Sequence, residues 1–274
     1  MAPAPAYNLT PLDRELLNMK DEDFVPHDWQ DLQDIIGKSM YPLSSLSKYR
    51  FKPLEIGLRI YPSPLSPPAR NDLAALKRKP SDLRRYFAWS IETKAEYGSI
   101  MNFICLNRLK WPLPAELTGT VPAPDTHSSA SDLPETDGSR SGSKESGPKL
   151  TFNNPTPFAD PEDYKILRND WPYGLEPGIS HLVVWLRTPI AVKSGEGHLT
   201  DESRALIDGF VQRKFVQRLA EDGAERFANP GSHVLWFKNW VGLQSVRALE
   251  HVHVLVRDVP EEILTEWSEK PRPQ

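Results

Sequence analysis

The chain has a single cysteine, Cys105, among 274 residues. One thiol excludes an intrachain disulfide framework and any zinc module built on several cysteines. A reducing compartment is the simpler expectation. No stretch approaches the ~18 uninterrupted apolar residues that a spanning helix needs. The segment from Met1 to Tyr7 lacks the basic stretch and apolar run of a signal peptide. Net charge is −4, so no general positive field recruits nucleic acid or anionic lipid. Gly-rich phosphate loops, nucleophile elbows and dinucleotide fingerprints are missing. These absences point to a cytoplasmic protein, with the nucleus as a second location. Neither a membrane nor a nucleic acid is expected as a partner, and no motif names a cofactor.

Proline, by contrast, is plentiful at 27 residues, while hydrophobic residues make up 39%. That combination predicts a real core plus stretches that cannot offset their ordering entropy. Composition divides the chain accordingly. Residues 1–12 form a Pro/Ala tail and 13–112 a helical first half. From 113 to 157 Ser, Thr, Pro, Gly, Asp and Glu dominate, and no aromatic occurs between Trp111 and Phe152. This stretch reads as a disordered insertion. Residues 158–267 form a sheet-containing second half, and 268–274 a tail. The expected fold is one α+β domain. A small, mainly antiparallel sheet from the C-terminal half packs against helices, and the insertion splits the domain.

Several elements can be placed. Asp28 caps a short helix to Ile36, stopped by Gly37. A strand is expected around Ile56 to Tyr61. A long helix runs from Ser81, its N-cap, to Lys110, with Leu83, Phe87, Ile91, Tyr97, Met101, Ile104, Cys105 and Leu109 on its buried stripe. Gly98 within it costs ~1 kcal/mol and points to close approach of another backbone. Asp160 to Arg168 reads as a short helix. Thr200 caps a second long helix over 201–221, and a final helical turn spans Glu261 to Trp267.

Three apolar runs begin with histidine: His181 to Arg187, His233 to Asn239, and His251 to Arg257. Residues two apart in a strand share a face. In the last run Val252, Val254 and Val256 form the core face. His251, His253, Leu255 and Arg257 form the other, which reads as a polar face built for ligand or chemistry. Unperturbed imidazoles titrate near neutral pH, so His251 and His253 are the candidates for acid–base or phosphoryl-type catalysis. His181, Arg187, His233, Asn239 and Arg257 continue that face as candidate ligand contacts. Arginine forks suit phosphate, and Trp185 and Phe237 can stack on a sugar or base. Asn169, Asp170 and Tyr173, in the turn Asn-Asp-Trp-Pro-Tyr-Gly, complete the candidate set.

Asn169 onwards, His181-Leu-Val-Val-Trp185, His233-Val-Leu-Trp-Phe-Lys-Asn239, Ser245-Val246 and Glu250-His-Val-His-Val254 occur in order. Together with Tyr97-Gly98 and Arg108-Leu-Lys-Trp111 they resemble a largely fungal family of unknown function. Its members are often labelled N-acetylglucosamine-induced protein 1. The resemblance implies a fungal cytosolic protein and no particular reaction.

The leading expectation is a protein that binds a small anionic metabolite, a sugar phosphate or nucleotide sugar, on this His-rich face. A second reading is a regulatory or scaffold protein that uses its insertion. A third is a metal-dependent or histidine triad-like phosphoryl-transfer enzyme. His251 and His253, joined by His181 or His233, would hold the metal. Leu255 occupies the third alternate position at which the triad pattern has histidine.

Overall fold

A computed structural model describes residues 11–37, 72–113, 150–193, 198–239, 246 and 249–268. The expected strand at 56–61 and residues 114–149 of the expected insertion lie outside them.

Four strands form one sheet: β1 (Tyr164–Arg168), β2 (Ile179–Leu186), β3 (Val234–Phe237) and β4 (Glu250–Arg257). Their order is β1-β2-β4-β3, and every neighbouring pair is antiparallel. The small antiparallel sheet of an α+β domain is therefore present, and among the described residues the second half of the chain supplies its strands. β1 replaces the helix expected over 160–168. Asp160 accepts the Glu162 N–H, and one 3-10 turn forms at Pro161–Asp163. Helix-start chemistry is thus present for a single turn. Buried Asp163 then accepts the backbone N–H groups of Asn153 and Asn154, and Tyr164 onwards pairs with β2. At the described end of the 113–157 stretch Leu150 joins a core cluster, while Thr151, Phe152 and Asn153 are exposed.

Helices cover both faces. On one, Leu182, Val184, Val252, Val254 and Val256 meet α5 (Asp201–Val211), α6 (Gln217–Glu221) and α7 (Glu261–Trp267). A π-helical turn, Gln212–Val216, joins α5 to α6. Thr200 caps α5 by accepting the Ser203 N–H, as the sequence predicts. Phe210, Phe215, Leu219 and Trp267 fill this core.

First-half helices cover the other face: α2 (Trp29–Ile36), α3 (Pro80–Tyr97) and α4 (Ile100–Phe103), with α1 (Pro11–Asn18) packed on α3 through Leu16 and Leu83. Asp28 accepts the Asp31 N–H to cap α2, and Gly37 ends it at φ 93°. Trp29, Leu32 and Ile35 pack on Leu235, Phe237 and Leu255.

The expected helix from 81 to 110 is broken. Pro80 begins α3, and the Ser81 N–H is held by the Asp21 carboxylate, a cap supplied from elsewhere in the chain. Gly98, at φ 75°, ends α3, and Ser99 caps α4 by accepting the Asn102 N–H. The glycine is a helix stop, with no role in close packing required. A π-helical segment, Ile104–Leu109, continues α4 and ends at left-handed Lys110. Within α3 the buried stripe is Leu83, Tyr86, Ser90 and Thr93, which leaves Ile91, expected inside, 54% exposed.

Candidate functional site

Antiparallel pairing decides which histidines meet. His181 pairs with Leu255, Val183 with His253, and Trp185 with His251. Phe237 pairs with His253 from the other side. Side chains of His181, Trp185, Phe237, His251 and His253 therefore share one sheet face. Phe237 stacks on His253 with centroids 4.7 Å apart, and Trp185 lies 4.8 Å from His251. His181 Nε2 lies 2.9 Å from His253 Nδ1, and Asn239 Nδ2 lies 3.3 Å from His253 Nε2.

This face does not close completely. Between it and the first-half helices lies a cavity of about 110 Å³. His251, His253, Trp185 and Asn239 form its floor, with Arg78, Tyr86, Trp89, Arg108, Asn169, Asp170, Trp171 and Tyr173 around it. Arg108 grips Asp170 through two hydrogen bonds of 2.9 and 3.0 Å. Arg78 donates its Nε–H to the Trp171 carbonyl. Its guanidinium lies 4.4 Å from the Tyr86 ring centre and 5.5 Å from that of Tyr173. The two Nη groups of Arg78 make no hydrogen bond among the described residues.

The turn carrying Asn169 to Gly174 is sewn in place. Asn169 Oδ1 accepts the Trp171 N–H at 2.9 Å, an Asx-type turn. Gly174 donates to Lys77 O and accepts from the His27 N–H. A Cβ at Gly174 would stand 2.3 Å from the Phe24 ring, so this close approach requires glycine. His27 is a further clamp. Its Nδ1 hydrogen-bonds Asp31, and its Nε2 accepts the Lys77 N–H at 3.2 Å. Helix α2, the approach to α3 and the turn are thereby tied together beside Arg78.

Burial sets the electrostatics. Desolvation pushes His181 down to about 3, helped by Arg78 and His251. It lowers His251 to about 4, against the pull of its bond to Leu249 O. His253 is driven well below its ordinary value by burial, then by His181 and His251. At neutral pH all three rings are uncharged. They act as hydrogen-bond donors and acceptors, so the near-neutral titration expected of exposed imidazoles is not available here. Burial also raises the Cys105 thiol to about 11, which fits the core residue that the sequence predicts.

Of the candidate residues, His251, His253, Trp185, Asn239, Asn169, Asp170 and Tyr173 line the cavity. His181 stands directly behind it, bonded to His253 and stacked on Tyr173 with centroids 5.2 Å apart. Arg187, His233 and Arg257 lie elsewhere, for a geometrical reason. Neighbouring strands run in opposite directions, so residues that begin each run lie at alternating ends of the sheet. Arg257 is four residues past His253, ~13 Å along the strand, and stacks on Trp29. His233 sits at that same end, with its Nδ1 bonded to Arg257 O. Arg187 lies over Trp111 at 4.8 Å. Among the described residues no three His, Cys, Asp or Glu side chains are grouped to hold a metal ion.

Sequence reasoning did not place Arg78, Arg108, Tyr86, Trp89 and Trp171 in the cavity. Arg78 falls within Lys77-Arg78-Lys79, which reads as an ordinary solvated cluster. Arg108 lies in a family-like stretch and Trp171 in the turn with Asn169, Asp170 and Tyr173, whereas nothing in the sequence marked Tyr86 or Trp89.

A family model described as a protein of unknown function, DUF3605, matches residues 68–257. The chain belongs to this family. The matched span contains every cavity residue named above. Two curated fungal relatives agree. N-acetylglucosamine-induced protein 1 of Candida albicans is 32% identical over 111 residues, 40% of each chain. An uncharacterized protein of Saccharomyces cerevisiae is 35% identical over 100 residues, 36% of this chain and 46% of its own. The aligned regions thus cover less than half the length of these relatives. The crystal structure of HTC1 aligns with a TM-score of 0.43 at 26% identity, over 70% of this chain and 80% of that one.

Proposed function

We propose that this family member binds a small anionic metabolite, of the sugar phosphate class, in the aromatic cavity. The arrangement of Arg78 carries the reading. Its Nε is committed to Trp171 O and its plane is held by Tyr86 and Tyr173, so a fixed two-pronged donor remains. Such a fork suits phosphate or carboxylate. Arg108 adds a second cation, oriented by Asp170. Rings of Trp89, Trp171 and Trp185 supply faces for the carbon skeleton.

Size narrows the ligand. A cavity of ~150 Å³ admits one benzene ring, and this one measures about 110 Å³. It takes a phosphate with a few carbons, or one end of a sugar phosphate. A nucleotide sugar would leave most of itself outside. The Candida relative is named for induction by N-acetylglucosamine, which favours a sugar derivative. Cytoplasmic residence, where such phosphates are kept, is part of the proposal. None of the described helices is long and apolar enough to cross a membrane.

Titration calorimetry with glycerol 3-phosphate, glucosamine 6-phosphate and N-acetylglucosamine 6-phosphate tests the reading. At least one should bind, and Arg78→Met should weaken it about tenfold or more, the worth of ~1.4 kcal/mol, without altering the circular dichroism. Indifference to all three at millimolar concentration would sink it.

A further inference from the structure

His251 and His253 stand side by side on the cavity floor, with ring centroids 5.1 Å apart. Their surroundings engage the two neutral rings differently. The case of His251 is direct. Its Nδ1–H donates to Leu249 O at 2.8 Å, so its Nε2 carries the lone pair. That nitrogen makes no hydrogen bond among the described residues. The side chain is 3% exposed and lines the cavity.

His253 is engaged at both nitrogens. Asn169 Oδ1 is committed to the Trp171 N–H, so its Nδ2 faces His181, 3.3 Å from both Nδ1 and Nε2. His181 Nε2 and His253 Nδ1 share a hydrogen bond of 2.9 Å, and His253 Nε2 lies 3.3 Å from the Asn239 amide. His253 therefore has partners on both sides, whereas His251 Nε2 has none among the described residues.

We propose that this lock makes the cavity selective for an anion that also carries a hydroxyl. Arg78 takes the anion, and His251 Nε2 accepts the hydroxyl hydrogen. The inference rests on the binding reading above and adds the donor requirement. The other polar groups fixed around the cavity are mainly donors or already engaged: the Arg78 fork, the Arg108 pair with Asp170, and the Asn169 amide. His251 Nε2 is the acceptor that a bare alkyl phosphate would leave buried without a partner, and that omission is costly.

Two measurements on the full chain test it. Long-range nitrogen–proton NMR of the ligand-free protein reads each histidine tautomer, with His251→Gln and His253→Gln assigning the signals. Hydrogen on Nδ1 of His251 is expected. Hydrogen on its Nε2 overturns the lock, whatever the ligand. Calorimetry then compares glycerol 3-phosphate with propyl phosphate, which lacks hydroxyls. The first should bind about tenfold more tightly, and His251→Phe should bring the ratio close to one while propyl phosphate binding persists. Equal binding by the wild type overturns the selectivity. Failure of both phosphates to bind removes the binding reading and the selectivity with it, and the NMR result decides the tautomers separately.

Discussion

The two faces of one sheet solve opposite problems with the same strands. Behind β4, Val252, Val254 and Val256 close against α5 to α7 in an apolar core. In front of it, His251 and His253 meet aromatic rings, asparagines and a cavity. Alternation along a strand makes the two faces chemically independent although they are adjacent in sequence. The rear face is shaped for stability. The front face gives up packing density to keep polar groups in fixed orientations.

The largest expected contrast comes from deleting one ring on each face. Phe215 is fully buried behind the sheet, against Phe210 and Trp267. Phe215→Ala should cost ~3–5 kcal/mol, measured by urea unfolding. Trp89, half-buried at the cavity wall, should cost clearly less on truncation, because space already exists beside it. A front-face loss equal to the rear one would mean that the cavity is a core in disguise.

Next in size is the Arg108–Asp170 pair, whose side chains are 14% and 18% exposed. Arg108→Ala leaves a half-buried carboxylate with its main partner gone and should cost ~1.5–3 kcal/mol. Replacing both, Arg108→Met with Asp170→Asn, should restore much of that stability without restoring phosphate binding. A double-mutant cycle in urea and in calorimetry separates the two effects. Recovery of binding would remove Arg108 from the ligand site.

Acid should also distinguish the faces. In the unfolded chain the three front-face histidines take up protons near 6.5, while in the folded protein His251 waits until about 4 and His181 until about 3. His253 is shifted the same way. Between those values the unfolded state binds more protons, so stability falls as pH drops. It is complete above about pH 6.5 and largely lost by about pH 4. Glu250, raised by burial despite Lys238, has the opposite sign and costs stability as pH rises above 4.5. Asp21 and Glu202, both lowered chiefly by hydrogen bonds, add to the loss below about pH 4.5, so the part of the acid limb above that belongs to the histidines. His251→Gln should flatten part of it in unfolding curves taken across that range. An unchanged limb would show that these rings do not govern it.

Legibility in the sequence followed the same division. Val252, Val254 and Val256 announced the rear face because alternation is a local signal. Thr200 and Asp28 announced their helices through cap chemistry that needs only four residues. Residues 160–168 misled for a related reason. Their helix-start signal is genuine, but Asp163 turns it off by binding Asn153 and Asn154, and pairing with β2 decides the rest. On the front face the histidines were visible and their partners were not. Arg78 reaches the cavity only because His27, Lys77 and Gly174 sew three distant segments together. Nothing local to Lys77-Arg78-Lys79 encodes that.

The smallest predicted effect tests where the front face ends. Arg257 shares the histidine face of β4 but lies over Trp29, its guanidinium 5.1 Å from the ring centre. Its place at the far end of β4, not its residue type, keeps it from the cavity that Arg78 borders. Both are arginines held by aromatic rings, yet only one borders the cavity. Arg257→Met should cost ~1 kcal/mol, the worth of a partly buried cation–π contact. It should leave glycerol 3-phosphate affinity unchanged, whereas Arg78→Met weakens it. If Arg257→Met weakened binding to the same degree, the ligand would extend along the whole strand. The 13 Å separation argued from ~3.3 Å per residue would then no longer mark the boundary between a binding arginine and a bracing one.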